Sequence, residues 1–285
     1  MFKASGRRLR CILTILTMAA LASAATHGQP AQNPAAQSPA EKLADAIERV
    51  KADNVGYGSV DASIYLETIA NAHAVQEIPT LEAFFARTAD PDTKTEAAIA
   101  LVKLGDKNDT YWNLLLHQAT LSVDSNPPFP FDMSNAQPKP APANLDQLYS
   151  PEFKDWAKAH DIPPEGAWQK VMYDIPYGLA AMAKTGDPRG IPLLRRALAT
   201  GNLFLKQTAA AGLAQAGDKA AIPLIIDACV KVTQPLATSI AISLAFFDDP
   251  EADRAYAQFV PLGMDPRQVR ITQGTKPFGP RPETK

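Results

Sequence analysis

Apolar residues along this chain occur in blocks that repeat at a nearly constant interval. Three consecutive blocks end at Gly186-Asp187, Gly217-Asp218 and Asp248-Asp249, which follow one another at intervals of about 31 residues. Gly105-Asp106 ends an earlier block, and a weaker copy of the pattern is centred on His73-Ala74. The interval between Gly105 and Gly186 is one period plus about 50 residues. The pattern therefore predicts five stacked repeat units and one insertion.

Positions within each block form columns that have a helical spacing. The column four residues before each centre is large and apolar: Ile69, Leu101, Met182, Leu213 and Leu244. The column three residues before each centre is mostly alanine: Ala70, Val102, Ala183, Ala214 and Ala245. Residues three and four apart share one face of a helix, and small side chains let neighbouring helices approach closely. The columns predict a packed first helix in each unit.

The residues after the centres predict a second helix. The pairs Ile78-Pro79, Ile191-Pro192 and Ile222-Pro223 occupy equivalent positions in three units. Proline is tolerated in the first turn of a helix, because the backbone donors there have no helical partner. The glycine of each Gly-Asp pair suits a left-handed helix terminus, and the aspartate can cap the next helix. Each unit is therefore predicted to be helix, tight turn and helix.

The two most regular segments carry a resemblance to a known repeat family. Leu179 to Leu198 and Leu213 to Cys229 resemble the short HEAT-like repeats of phycobilin lyase subunits and of many bacterial proteins. The resemblance covers about residues 60 to 120 and 170 to 260. It implies an all-α fold, a right-handed α-solenoid of about five two-helix repeats. It implies little about function, since such repeats are mostly binding scaffolds for diverse partners.

The two ends of the chain lie outside the repeats. A basic stretch precedes an apolar run from Cys11 to Ala22 that ends in Ala22-Ser23-Ala24, which is typical of a cleaved secretory signal. The run is too short to span a membrane, so no membrane span is expected after cleavage. We expect a signal peptide at 1–24, a disordered linker at 25–38, a solenoid at 39–260 that begins with a capping helix, and a disordered tail at 261–285. The predicted location is periplasmic or secreted.

The charge of the chain limits the classes of partner. The formal net charge is -2, and removing the basic leader makes the mature chain more acidic. A nucleic-acid partner is therefore not expected, because such proteins usually carry a basic surface. The leader also contains Cys11, which leaves Cys229 as the one cysteine of the mature chain and excludes an internal disulfide.

The insertion at 122–166, between units two and three, is rich in proline and aromatic residues. A solvated linker would carry few aromatic side chains, so we expect much of the insertion to pack on the solenoid. Ser150-Pro151-Glu152 predicts the start of a short helix. Two interpretations stay open at this stage: a structural strap that covers exposed helices, or a loop that completes a binding groove.

Residues that could perform chemistry do not form a recognisable motif. Nucleophile signatures, phosphate loops and paired metal-binding histidines are missing, so we predict no catalytic residues, no metal and no cofactor, and a chain that is not an enzyme. The repeat register places His117 and Cys229 at packing positions, although a shift by one residue in unit two would move His117 toward the surface. We expect the closely spaced acidic residues Asp90, Asp92 and Glu96 to act in helix capping.

The remaining hypothesis is a non-enzymatic exported scaffold that binds a protein or peptide partner through the concave face of the solenoid and the insertion. Second helices are expected to line that face. The candidate contact residues are Arg195, Arg196, Asp227 and Lys231 on second helices and Phe129, Phe131 and Trp156 in the insertion. The alternative is a small-ligand or tetrapyrrole-type chaperone similar to the HEAT subunits of bilin lyases, with the insertion as a lid.

Overall fold

A computed structural model describes residues 37–56, 59–130, 149–163, 167 and 170–261. This part of the chain contains twelve α-helices. They are α1 (Pro39–Lys51), α2 (Ser59–Asn71), α3 (Ile78–Arg87), α4 (Pro91–Lys103), α5 (Asp109–Ser125), α6 (Pro151–Ala159), α7 (Ile175–Lys184), α8 (Ile191–Thr200), α9 (Leu203–Ala216), α10 (Ile222–Val230), α11 (Gln234–Ala241) and α12 (Pro250–Phe259). A π-helical turn, Lys170–Asp174, precedes α7, and a 3-10 helix, Ile242–Phe246, extends α11. The predicted all-α fold is confirmed.

The helices form the five predicted pairs, which are α2 with α3, α4 with α5, α7 with α8, α9 with α10, and α11 with α12. The first helices of successive units pack on one another, and the second helix of each unit packs on the first helix of the next. Gly105, Gly186 and Gly217 have φ angles of 83°, 65° and 71°. These left-handed values are easily adopted by glycine, which explains its position at the turns. The hand of the solenoid stays a prediction.

Local sequence signals account for where the helices begin. Ser38 and Glu41 form a capping box at the start of α1, with both reciprocal hydrogen bonds present. Asp90 accepts a hydrogen bond from the backbone of Thr93 and so caps α4. Proline occupies the first turn of α3, α8 and α10, as the Ile-Pro pairs predict. The predicted N-terminal capping helix and the second-helix starts are therefore confirmed.

The first helices form the most buried layer of the fold. Ten of the fourteen residues of α9 are buried. A Cβ atom at Gly212 of α9 would lie 2.7 Å from the Cβ of Ala183 in α7, so glycine sets the closest approach of these two helices. None of the helices in the described ranges is both long and apolar enough to cross a membrane.

Three sequence predictions are decided by burial. Cys229 is 1% exposed, which confirms its packing position. His117 is exposed, so the packing assignment of this residue is wrong. The buried face of α5 runs through Tyr111, Leu115 and Ala119, four residues apart, and His117 lies between two of these positions. Glu96 is 2% exposed and forms an ion pair with Lys184, so its attribution to helix capping is also wrong.

Candidate partner-binding site

Two described arms of the insertion meet at Ser150. The backbone N–H of Ser150 donates to the carbonyl oxygen of Pro130 at 2.9 Å. The Ser150 hydroxyl donates to the carbonyl oxygen of Phe129 at 3.2 Å and accepts from the N–H of Phe153, which caps α6. We call residues 126–130 and 149–159 the strap. Its two arms are held together by one serine.

The strap is fixed to the turn between α8 and α9 by a pair of asparagines. The Asn126 side chain donates to the carbonyl oxygen of Thr200 at 3.0 Å and accepts from the N–H of Asn202 at 2.9 Å. The Asn202 side chain donates to the carbonyl oxygen of Pro127 at 2.8 Å and caps α9 by accepting from the N–H of Leu205. Four hydrogen bonds therefore order this turn together with the first arm of the strap.

Aromatic residues of the strap form a small second core. Its buried members are Tyr149, Phe153, Ala157, Ala167, Val171 and Phe204. Phe129 lies against Phe204, with ring centroids 5.5 Å apart, and contacts both this core and the main one. Trp156 stacks between Phe153 at 6.1 Å and His160 at 4.6 Å. The described part of the insertion is therefore packed, as the strap interpretation expects.

Phe129 also lines an open groove of about 380 Å³ between the strap and units three to five. Leu203 and Leu236 form its apolar floor together with Phe129, and Lys206 and Lys231 stand at its rim. We call this space the strap groove. Among the described residues, those that bound a second groove of about 440 Å³ lie within 149–163. The strap groove differs because it joins the insertion to the ends of several repeat helices.

The electrostatics of the strap groove favour negative charge. The helices α9 and α11 begin at its edge, since their N-cap residues Asn202 and Thr233 both line it. Helix N-termini carry partial positive charge. The Lys206 side chain forms no ion pair with any described residue, and the Lys231 ammonium, which pairs with Asp227 at 2.6 Å, lies at the same rim.

The predicted contact residues separate into two groups. Phe129 and Lys231 both lie at the strap groove. Arg195 instead forms a two-bond pair with Asp218 of the next unit at 2.7 and 2.8 Å, and Arg196 bonds Asp124 of the preceding unit at 2.6 Å.

The other candidates lie at or beyond the edge of this site. Asp227 pairs with Lys231 at 2.6 Å within α10. Trp156 belongs to the second core and does not line the strap groove. Phe131 lies outside the described residues. Of the seven candidates, two are therefore brought together at the groove.

A network of buried charges lies on the first helices and was not anticipated from the sequence. The Lys184 ammonium contacts Glu67 at 3.3 Å and Glu96 at 3.5 Å, and the Tyr177 hydroxyl donates to Glu96 at 3.1 Å. Next to it, the Lys103 ammonium donates to Asn71 at 2.8 Å. Burial raises the pKa of Glu96 against the opposing effect of Lys184, and burial lowers the pKa of Lys103.

A repeat column could have revealed this network. Asn71, Lys103, Lys184 and Gln215 each lie two residues before a repeat centre. Polar residues thus recur at one register position inside an apolar block. The expectation that second helices line the concave face directs attention to charged residues on those helices, and this column lies on the first helices.

The network joins the first helices of three successive units. Lys184 belongs to unit three, Glu96 to unit two and Glu67 to unit one. The expectation that second helices line the concave face stays a prediction.

In the described ranges, no three histidine, cysteine, aspartate or glutamate side chains lie close enough to one another to bind a metal ion jointly.

Five helix pairs, glycine turns and stacked small-residue columns define this chain as a HEAT-like repeat protein. The family described as PBS lyase HEAT-like repeat matches residues 205–231, which run from the first turn of α9 through the end of α10. A comparison with curated proteins gave no match. The fold class is therefore that of a repeat scaffold.

Proposed function

We propose that this chain is an exported, non-enzymatic scaffold that binds a protein or peptide partner in the strap groove. The observation that carries the proposal is the position of the groove. It is built jointly by Phe129 of the insertion and by the two turns that join units three, four and five. Binding sites are often formed by loops that a rigid scaffold positions.

The surface chemistry of the groove supports a polypeptide partner. Its floor is apolar, whereas its rim carries lysines and two helix N-termini. Val230, beside Lys231, is 65% exposed and extends apolar surface from the groove. An apolar centre with a polar rim is the usual composition of a protein interface.

The non-enzymatic and exported parts of the proposal rest on other residues. Burial raises the pKa of the Cys229 thiol to about 12, which keeps it protonated and poorly nucleophilic at neutral pH. Arg195 and Arg196 are engaged in ion pairs between units. The N-terminal pattern of basic residues, apolar run and Ala22-Ser23-Ala24 supports export.

Site-specific photocrosslinking in the native host tests the proposal. A photoreactive phenylalanine analogue at Val232, a half-buried residue that lines the groove, is expected to crosslink the chain to a discrete partner. The matched control position is Val75, which is 56% exposed in unit one and should give no such product.

Three results would contradict the proposal. One is equal crosslinking at Val75, a second is the absence of any product at Val232, and a third is turnover of a substrate by the purified chain. Visible absorbance or extra mass on the protein from the host would instead favour the tetrapyrrole-type alternative.

A further inference from the structure

The geometry of the strap groove points to a specific partner chemistry: an extended polypeptide segment in which carboxylate side chains lie next to apolar ones. This inference rests on the partner-binding function proposed above. It goes further because it states which side chains the partner must present, and it assigns Lys206, which was not among the predicted contacts, as a recognition residue.

The apolar requirement follows from the floor of the groove. Phe129, which is half-buried, and the buried Leu203 and Leu236 line an open space of about 380 Å³. Removing apolar surface of both partners from water is favourable. A volume of this size accommodates a few side chains of an extended segment, and not a folded domain. The partner must therefore insert apolar side chains.

The carboxylate requirement follows from the rim. Lys206 is half-buried and forms no ion pair within the described residues, so its ammonium can receive an anionic group directly. Lys231 is 65% exposed and pairs with Asp227, which is 58% exposed. An exposed pair of this kind contributes little stability, and a carboxylate of the partner can replace Asp227. The N-termini of α9 and α11 add positive potential at the same edge.

Two other occupants fit less well. The C-terminal segment of this chain, residues 262–285, carries Arg267, Arg270, Lys276, Arg281 and Lys285 against Asp265 and Glu283. Its excess of positive charge would be repelled by Lys206 and Lys231. A nucleic acid would satisfy the lysines but would meet a chain whose formal net charge is -2.

The test measures binding of defined peptides by fluorescence anisotropy. The probe is a labelled nonapeptide with blocked ends in which leucine alternates with glutamate. One control peptide replaces glutamate with lysine, and a second replaces leucine with serine. We expect the Leu/Glu peptide to bind at least about tenfold more tightly than either control. Its affinity should fall as salt rises from about 0.05 to 0.5 M, because the rim contacts are screened.

Charge-reversal variants then assign the site. The double variant Lys206→Glu, Lys231→Glu should weaken the Leu/Glu peptide by at least about tenfold, and it should gain affinity for the Leu/Lys peptide. The matched control is Lys42→Glu, an exposed lysine on α1 that should leave the affinity unchanged. Unchanged circular dichroism and melting temperature of the double variant show that it is folded. If it is unfolded, Lys206→Gln alone should still weaken the Leu/Glu peptide several-fold.

The outcomes separate this inference from the proposed function. Three outcomes would overturn the inference. The three peptides could bind equally, or the double variant could bind the Leu/Glu peptide as tightly as the native chain does. A single-stranded oligonucleotide could also bind more strongly than the Leu/Glu peptide. If a partner nevertheless crosslinks at Val232, the proposed function stands with a different partner chemistry. If neither the peptide nor a crosslinked partner binds, both fail.

Discussion

Gly178 lies where α7 crosses α5, and a Cβ atom there would be 2.5 Å from the carbonyl oxygen of Gln118 and 2.7 Å from the hydroxyl of Ser122. The first of these neighbours is backbone and cannot rotate away. The proximity explains why a residue with poor helix propensity occurs inside α7. A single missing side chain thus determines how closely units two and three pack.

The substitution Gly178→Ala tests this close approach. Helix propensity alone would make alanine stabilising by about 1 kcal/mol, whereas overpacking should reverse the sign and cost about 1–3 kcal/mol. Urea denaturation of both proteins measures the difference in the free energy of unfolding. Ala180→Gly, at a half-buried position of the same helix, is the control and should show only the propensity loss. A stabilised Gly178→Ala would contradict the crossing geometry.

The buried carboxylate of Glu96 leads to a pH-dependent prediction. Because burial raises its pKa above the unfolded value, the folded state binds a proton more readily than the unfolded state between the two values. Stability contributed at this position is therefore fully present below the unfolded pKa and is lost as pH rises through the folded pKa. Relative to Glu96→Gln, the native chain should gain stability as pH falls from 7 toward 4.5.

Chemical denaturation at several pH values measures this difference, because most other titrating groups are common to both proteins. The pH range over which the stability difference changes begins near 4.5, the usual pKa of glutamate. A difference that does not change with pH, or that changes in the opposite direction, would show that Lys184 and Tyr177 outweigh the effect of burial.

At the scale of elements, the boundaries that were predictable are those with a local cause. The Ile-Pro pairs, the glycine turns and Ser150 act within a few residues, and α3, α8, α10 and α6 begin where these signals place them. The second helix of unit two has no Ile-Pro pair, and α5 begins at Asp109 after the N-cap Asn108. Without that marker the register could not be fixed, which explains the wrong assignment of His117.

Contacts between distant elements were not predictable to the same degree. The column of Asn71, Lys103 and Lys184 is visible in the sequence, but its burial depends on how three helices pack on one another. The strap groove depends on Asn126 meeting Asn202, 76 residues later. Periodicity describes what a unit shares with its neighbours, and both of these features arise where the units differ.

The asparagine that joins the strap to α9 offers a test at this scale. Asn202→Ala removes a helix cap and a hydrogen bond to the strap, and it should cost about 1–2 kcal/mol. It should also increase hydrogen exchange at Ser150, whose N–H bonds the strap carbonyl of Pro130. The control is Asn108→Ala, which removes the cap of α5 alone. If both variants changed exchange at Ser150 equally, the asparagine pair would not be what fixes the strap.

At the scale of the whole molecule, the ion pairs of Lys184 join three units of the described part of the chain. Its ammonium joins α7 to α4 and α2, and its side chain is 24% exposed, while that of Glu96 is 2% exposed. Removing the charge would leave the carboxylates of Glu67 and Glu96 without their shared partner. The packing of units one to three therefore depends in part on a single positive charge.

The variant Lys184→Met should destabilise the chain, by less than the roughly 3–5 kcal/mol expected when one partner of a fully buried pair is removed. Urea denaturation measures the change in the free energy of unfolding. Lys231→Met, which breaks an exposed pair, is the control and should change stability by no more than about 0.5 kcal/mol. A Lys184→Met protein as stable as the native chain would show that the contacts with Glu67 and Glu96 do not hold the three units together.

The hydrogen bond between Ser150 and Pro130 has a consequence for how this chain can vary. Since the two arms of the strap already meet, the residues between them can change in number without moving the repeats on either side. The entropic cost of closing a loop also grows only slowly with its length. Residues can therefore be inserted between the two arms of the strap, either during evolution or by grafting a foreign segment beside the groove.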